Sequence, residues 1–281
     1  MDKLKILVAC HKPWKVYQDD VYTPIHVGRA VSKYKDEMAD MIGDDTGDNI
    51  SEKNPQYCEL TAQYWAWKNL HDVEYIGFCH YRRFFGTQID KNNVDILLQN
   101  KDVLVIKQID KFCIFNSMTI FISIEDITIL MMVLKKKYPE YEKVFLDYLY
   151  GCILYSKNMF ICKKDLFDDY AAWLFDILFE CEKYIRLSPY SRQRRSLAYL
   201  GEYLLPVYLM YHRFRLENVG CVDSVGKCVH RNLRQKVALK IRKWHGVIEK
   251  IYQKPPQSID ECIGEWEWVR VGFENDGIRI E

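Results

Sequence analysis

The sequence predicts an α/β fold, with a Rossmann-type, mostly parallel sheet flanked by helices and a basic helical segment at the C-terminus. Apolar runs at residues 5–10 and 102–107 have the composition of strands buried on both faces. Further along the chain, strand-like runs alternate with amphipathic helical segments, and no internal repeat is visible. We expect one domain over residues 1–225 and a basic amphipathic segment over residues 226–281, packed on the domain or on a membrane surface.

Composition indicates a soluble protein with an ample core. The chain has 281 residues, of which 49% are hydrophobic and 28% charged, and its net charge of +1 argues against nucleic acid as a partner. The ten cysteines form no C-x-x-C pair, which argues against structural zinc and favours a reducing compartment. No signal peptide and no membrane-spanning run is recognisable, so we expect a cytoplasmic protein that could lie peripherally on the inner face of the cytoplasmic membrane.

One stretch, EYIGFCHYRRFF at residues 74–85, reads as a short buried strand that ends in four polar residues. These are His80, Tyr81, Arg82 and Arg83. In open α/β sheets, ligands lie beyond the carboxyl ends of the strands. Two adjacent arginines suit a diphosphate, because each guanidinium binds phosphate oxygens bidentately and keeps its charge. The alternative is a pair of ordinary surface arginines.

Two segments before this strand have the composition of loops. Residues 11–30 follow the first strand and contain two prolines, several aromatic residues and His26, so we expect a loop that covers a ligand. Residues 41–54 are dense in Asp, Gly, Asn and Ser. Turn formation is favoured there over a cation site, because Asp44, Asp45 and Asp48 do not have the spacing of a calcium loop.

The remaining elements follow from periodicity and helix-stop signals. Asn54 is expected to cap a helix over residues 55–70. The other predicted helices are residues 94–98, 125–137, 140–151, 164–186 and 192–211, and the other predicted strands are residues 155–163 and an edge strand at 266–273. Residues 111–124 are ambiguous.

Residues 226–254 differ from the rest of the chain, with nine Lys or Arg residues against Glu249 alone. Five apolar residues recur there at helical spacing: Val237, Ile241, Trp244, Ile248 and Ile251. A basic amphipathic helix of this kind favours a membrane surface or an anionic partner. The alternative is a solvated helix that packs on the domain through its apolar stripe.

Common catalytic motifs are absent from the sequence, including G-x-S-x-G, the P-loop and a G-x-G-x-x-G after the first strand. His11, His26 and His80 could form a metal triad, although they lie in three separate segments. Glu202 stands out as a carboxylate within an otherwise apolar helix, SLAYLGEYLL. Partial burial would raise its pKa toward the range of a general base, whereas the alternative is an ordinary exposed glutamate.

Six blocks of the sequence, in this order, resemble a bacterial family of capsular, exopolysaccharide and O-antigen biosynthesis proteins. The blocks are KILVACHK, PIHVGRA, GDDTGDNISEKNPQYCELTAQYWAWKN, GFCHYRRFF, NMFICKKDLFDDYAAWLFDIL and LAYLGEYLL, which together extend over roughly residues 4–212. The family, long catalogued as a domain of unknown function, is treated as glycosyltransferases. The resemblance implies a GT-A-like fold and transfer of a sugar, with galactose or galactofuranose favoured, from a UDP-sugar to a lipid-linked oligosaccharide acceptor at the inner membrane.

GT-A enzymes hold the metal that binds the diphosphate through a D-x-D motif, which this sequence lacks. We therefore expect no metal ligands, and Arg82 and Arg83 to stabilise the diphosphate with a hydrogen bond from His80. A divalent cation, Mn²⁺ or Mg²⁺, is the alternative cofactor.

The resemblance also suggests roles for other residues. His11 would border the nucleotide, and Glu202 would be the catalytic base that deprotonates the acceptor hydroxyl. The other expected substrate-binding residues are His26, Asp45, Asp48, Asn49, Tyr57, Glu59, Tyr81 and Asn158. Two other classes of function remain open: a non-catalytic nucleotide-sugar or glycan-binding protein of a polysaccharide assembly, and a metal-dependent hydrolase built on the histidines.

Overall fold

The fold centres on a seven-stranded sheet, which confirms the predicted α/β class. The structure is a computed structural model that describes residues 2–110, 112–223, 225, 232–252 and 254–280. The strands are β1 Asp2–Cys10, β2 Tyr22–His26, β3 Ile42–Gly43, β4 Val73–His80, β5 Phe84–Phe85, β6 Val103–Ile109, β7 Ile153–Lys163, β8 Leu216–Asn218 and β9 Cys221–Val222. The helices are α1 Asn54–Tyr57, α2 Leu60–Asn69, α3 Val94–Leu98, α4 Ile114–Met118, α5 Ile124–Lys137, α6 Glu142–Leu149, α7 Lys164–Glu182, α8 Ser196–Tyr211, α9 Leu233–Tyr252, α10 Ile259–Gly264 and α11 Glu267–Asp276.

The strand order of the main sheet is β3-β2-β1-β4-β7-β6-β8. β1 pairs in parallel with both β2 and β4, and β6 pairs in parallel with β8, whereas β4 and β7 are antiparallel. The register places Cys10 beside His26 and Ala9 beside His80. The carboxyl ends of β1, β2 and β4 therefore meet at one edge of the sheet. β5 and β9 form a separate two-stranded sheet.

Gly77 allows β4 and β7 to approach closely in the middle of the sheet. A Cβ built at this position would lie 2.6 Å from Cγ1 of Ile161 and 3.3 Å from the carbonyl oxygen of Phe160. A larger residue would overpack the sheet at this point. The sequence GFC in the middle of the predicted strand thus reflects a packing constraint between two central strands.

Contacts group the chain into two compact units that interleave along the sequence. The first comprises Met1–Lys107, Tyr155–Trp173 and Arg213–His230, and the second comprises Gln108–Leu154, Leu174–His212 and Arg231–Glu281. In the first unit, Ile6, Val8 and Ile161 belong to a buried cluster within the sheet. In the second unit, α5, α6 and α8 bury apolar side chains such as Leu130, Phe145 and Leu204. The sequence-based division into residues 1–225 and 226–281 stays a prediction.

Three local predictions were wrong. Residues 11–30 are not loop throughout, because β2 forms there and buries Tyr22 and Ile25. The predicted helix over residues 55–70 is two helices, because Cys58 has a φ of 46° and breaks it. Asn54 is the first residue of α1 rather than its cap, and its side-chain amide donates to the Cys58 carbonyl at 2.8 Å.

The predicted edge strand at residues 266–273 is also wrong, because this segment is helix α11. The sequence WEWVRVGF alternates like a strand, but Val269 and Phe273 are also spaced by one helical turn, and these are the residues that the helix buries. The ambiguous segment 111–124 contains the short helix α4.

Two further expectations can be compared with the described part of the chain. Within it, no helix is both long enough and apolar enough to cross a bilayer. Each of the nine cysteines that the structure describes is a free thiol. Residues 226–231 of the predicted basic segment, and the side chain of Ile251, lie outside the described residues.

Candidate functional site

The candidate site lies at the carboxyl edge of β1, β2 and β4, where the sequence predicted it. His80 ends β4 and pairs with Arg83 through two backbone hydrogen bonds of 3.1 and 3.0 Å, so a tight turn presents Tyr81 and Arg82. The Tyr81 amide donates to the carbonyl oxygen of Ala9 at 3.2 Å, which ties this turn to the end of β1. Backbone hydrogen bonds thus hold the two arginines at the strand end.

Two aromatic rings lie beside Arg82. The buried Tyr81 ring makes edge contacts with the rings of His11 and Trp14, at centroid distances of 5.3 and 5.7 Å. The Arg82 guanidinium lies 4.8 Å from the Tyr81 centroid and 5.6 Å from that of Trp14. Such cation–π contacts orient a guanidinium without neutralising its charge. Sequence analysis missed Trp14, and the only signal for it was the aromatic content of the segment after the first strand.

The side chains of Arg82 and Arg83 are both exposed. Among the described residues, neither guanidinium has a carboxylate within the 4.0 Å of an ion pair. The thiol of Cys221 lies near these positive charges. Burial raises its pKa, while the charges of Lys157 and Arg83 act to lower it. The edge of the sheet therefore presents cations that are available to an anion.

His80 is held by β7. Its Nε2 lies 2.8 Å from the carbonyl oxygen of Lys157, and because a carbonyl only accepts, Nε2 carries the proton and donates. Lys157 and Asn158 have φ values of 74° and 50°, in the left-handed region that non-glycine residues rarely adopt. This irregular backbone of β7 presents the Lys157 carbonyl toward the end of β4.

A polar cluster connects β7 with the start of α2. The buried Asn158 donates from its side-chain nitrogen to Glu59 at 2.9 Å, and the buried Gln63 donates to the Asn158 carbonyl at 3.4 Å. Within the described structure, the side-chain oxygens of Asn158 and Gln63 are buried and have no hydrogen-bond partner. Glu59 directly follows Cys58, another non-glycine residue with a positive φ. Strained backbone of this kind is frequent at functional sites.

The acidic loop after β3 makes turns, as expected. The buried Asp44 accepts hydrogen bonds from the backbone amides of Gly28 and Arg29, at 2.7 and 3.1 Å, and from the Ser51 hydroxyl. Asp45 lies 3.9 Å from the Arg29 guanidinium. Asp44 and Asp45 thus connect this loop to the chain that follows β2.

Asp48 and Asn49 also bond within the protein. Asp48 accepts from the Tyr64 hydroxyl at 3.0 Å, and burial together with this bond raises the pKa of Tyr64 to about 12. The Asn49 amide donates to the Gly47 carbonyl at 2.9 Å. These contacts give Asp48 and Asn49 a part in the loop's own structure, and substrate-binding roles for Asp45, Asp48 and Asn49 stay predictions.

The three histidines do not form a metal site. Among the residues that the structure describes, no three His, Cys, Asp or Glu side chains come together as potential metal ligands, so the predicted alternative of a triad of His11, His26 and His80 is wrong. His26 is fully buried, neither of its ring nitrogens has a partner in the described chain, and burial lowers its pKa. Burial therefore disfavours the charged form of this histidine, which ends β2 beside Cys10.

Two predicted residues remain, Tyr57 and Glu202. Tyr57 is fully buried at the end of α1, within the first unit. Glu202 is half-buried on α8, in the second unit. The structure brings together His11, His80–Arg83, Glu59 and Asn158 within the first unit, while Glu202 belongs to the other unit.

Comparison with known proteins shows that this α/β protein has the fold of a glycosyltransferase. The chain belongs to the family described as a domain of unknown function (DUF4422), whose model matches residues 5–213. It is similar to the apo structure of WbbM, a bifunctional glycosyltransferase, with 26% identity and a TM-score of 0.70 over 83% of this chain. The match covers 48% of the WbbM chain, so this chain spans about half of that protein. No curated protein matches the sequence significantly.

We expect the Asn158–Glu59 hydrogen bond and the left-handed backbone to contribute separately to stability. Asn158→Gly removes the bond and suits a positive φ, and it should lower the free energy of unfolding by about 1–3 kcal/mol. Asn158→Ala should be less stable again, because alanine is strained where φ is positive. Urea denaturation of both variants measures this. A glycine variant as stable as the wild type, or an alanine variant more stable than the glycine variant, would contradict this account.

Proposed function

We propose that this protein is a glycosyltransferase that binds the diphosphate of a UDP-sugar with Arg82 and Arg83. One observation carries the proposal: two exposed guanidiniums without an ion-pair partner in the described chain follow the central strand at the carboxyl edge of a sheet of this fold. That edge is where open α/β sheets bind their ligands. The family membership and the similarity to WbbM support glycosyl transfer as the reaction class.

The physical reason is the charge that develops on the leaving group. As the glycosidic bond to the nucleotide breaks, negative charge accumulates on the departing diphosphate, and donors fixed in advance stabilise it at little cost of reorganisation. The contacts of the Arg82 guanidinium with the Tyr81 and Trp14 rings orient that donor, and the backbone pairing of His80 with Arg83 fixes the point from which the Arg83 side chain extends. In the proposed site, Arg82 and Arg83 take the place that the absent D-x-D carboxylates and their metal would fill.

The remaining assignments are finer parts of the same proposal. Galactose or galactofuranose is the favoured sugar, and a lipid-linked oligosaccharide at the inner membrane is the proposed acceptor. His11 and Tyr81 border the nucleotide in this proposal, as their position beside Arg82 suggests. In the same proposal, Glu59 and Asn158 bind the donor sugar; they are hydrogen-bonded to each other, and Asn158 follows Lys157, whose carbonyl oxygen accepts from His80. Mn²⁺ or Mg²⁺ remains the alternative cofactor.

Substitution of the arginines tests the proposal directly. Arg82→Ala and Arg83→Ala should each lower kcat/KM for sugar transfer, because each loses about 2–4 kcal/mol of transition-state stabilisation. Wild-type transfer should continue in EDTA. Arg215→Ala is a matched control, because Arg215 is an exposed arginine of the same unit that pairs with Asp102, and it directly precedes β8, the last strand in the sheet order.

Full transfer activity in both site variants would overturn the assignment of Arg82 and Arg83, and so would a complete loss of wild-type activity in EDTA. Tight UDP-sugar binding without any turnover, across a range of glycan acceptors, would instead favour a non-catalytic binding protein.

Glu202 is the proposed base that deprotonates the acceptor hydroxyl, a role for which its half-buried position in an apolar helix is suitable. Glu202→Gln keeps the size of the side chain and removes the proton acceptor. We expect kcat to fall by about 10²- to 10⁴-fold, with donor affinity unchanged. A variant that retains its turnover would show that Glu202 has a structural role.

A further inference from the structure

Helix α9 exposes a continuous apolar stripe. Five large apolar side chains lie along it, each between 47% and 77% exposed: Leu233, Val237, Ile241, Trp244 and Ile248. Single exposed apolar residues are ordinary on a protein surface, but five along one helix form a contiguous patch. Such patches mark interaction surfaces.

The stripe is narrow and cations flank it. At 3.6 residues per turn, the five side chains fall within an arc of about 80° on the helix. On the same projection Arg234 lies just beyond one side of this arc, and Lys240 and Lys236 lie beyond the other. All three of these side chains are exposed. Long cationic side chains at the borders of an apolar face can extend to charged headgroups while the apolar residues insert.

The exposure of the stripe bears on the two interpretations that the sequence left open. A helix that packs on its domain through an apolar face would bury that face, as α11 does with Val269 and Phe273. In α9, by contrast, every described member of the predicted stripe is exposed. The apolar face of α9 is therefore available to a partner outside this chain.

We propose that α9 docks the protein on the surface of an anionic lipid bilayer, lying in the plane of the membrane with its apolar stripe at the boundary of headgroups and acyl chains. Charge favours this occupant, because the sequence of α9 carries six Lys or Arg residues and one Glu. Anionic lipids attract basic segments of this kind, and the apolar face then anchors them. The inference does not depend on the donor site, because α9 lies beyond the segment that matches the family.

Vesicle binding by the full-length protein tests the inference. The protein should sediment with vesicles of phosphatidylcholine and phosphatidylglycerol but not with phosphatidylcholine alone, and salt should weaken the binding. The double variant Ile241→Ser/Trp244→Ser should bind at least about tenfold more weakly, because two inserted side chains are lost. Lys236→Gln/Lys240→Gln should also weaken the binding, because it removes two of the flanking cations.

Trp268→Ser is the matched control. Trp268 is another exposed tryptophan, but it lies on α11 among acidic residues that include Glu267, so this variant should bind like the wild type. Vesicles should shift the tryptophan emission to shorter wavelength in the wild type and in Trp268→Ser, but not in the Ile241/Trp244 variant. Thermal melting confirms that every variant is folded.

Several outcomes would overturn the proposal. These are no binding to anionic vesicles, equal binding to neutral vesicles, or an equal loss in Trp268→Ser. If the wild type instead forms a concentration-dependent dimer that Ile241→Ser/Trp244→Ser abolishes, and does not bind vesicles, the stripe is an interface between two copies of this chain. Donor binding is measured separately with UDP, so a failure of membrane docking is distinguishable from a failure of the proposed function.

Discussion

The parallel pairing of β1 with β4 is the constraint on which the candidate site depends. Because the register pairs Ala9 with His80, the chain leaves both strands at the same edge, and His11 and Trp14 meet the Tyr81–Arg82 turn there. The close approach that Gly77 permits then brings β7 alongside β4. A shift of one residue in the β1–β4 register would send alternate side chains to the opposite face and separate these groups.

Backbone strain is concentrated beside this edge. Of the four described non-glycine residues with positive φ, three are Cys58, Lys157 and Asn158. Hydrogen bonds join the segments that contain them, from Asn158 to Glu59 and from His80 to Lys157. Each such conformation costs about 1–3 kcal/mol and persists only where the surrounding structure holds it. The strained residues here adjoin or hydrogen-bond to His80 and Glu59. The strain therefore lies beside groups that are proposed to bind the donor.

The sequence predicted the elements whose signal is local. The apolar runs KILVAC and DVLVIK gave strands, and the polar ending of EYIGFCHYRRFF located the edge of the sheet. It did not predict β2, because a proline and several polar residues conceal a strand whose stability comes from β1 and β3 on either side. It also placed α11 as a strand, because residues 266–273 satisfy both periodicities and only tertiary burial selects the helix.

The positions of the candidate site residues were predictable only in part. The sequence placed Arg82 and Arg83 just after a strand, as the structure does, whereas it gave no sign of Trp14 and Gln63, whose positions depend on contacts between distant segments. Nor did the sequence show that Asp48 accepts a hydrogen bond from Tyr64 of α2, or that Asn49 donates one within its own loop. The sequence pattern predicts where the strands end, but it does not predict which polar side chains form hydrogen bonds within the fold.

Calorimetric titration with UDP and with uridine, in EDTA, tests the central claim most directly, because it isolates the contribution of the diphosphate. If Arg82 and Arg83 bind it, the wild type should bind UDP much more tightly than uridine without any metal. Replacement of both arginines by alanine should then remove about 1.5–3 kcal/mol of UDP affinity per arginine and leave uridine binding unchanged. Equal UDP affinity in the wild type and the double variant, or UDP binding that appears only when Mn²⁺ or Mg²⁺ is added, would contradict it.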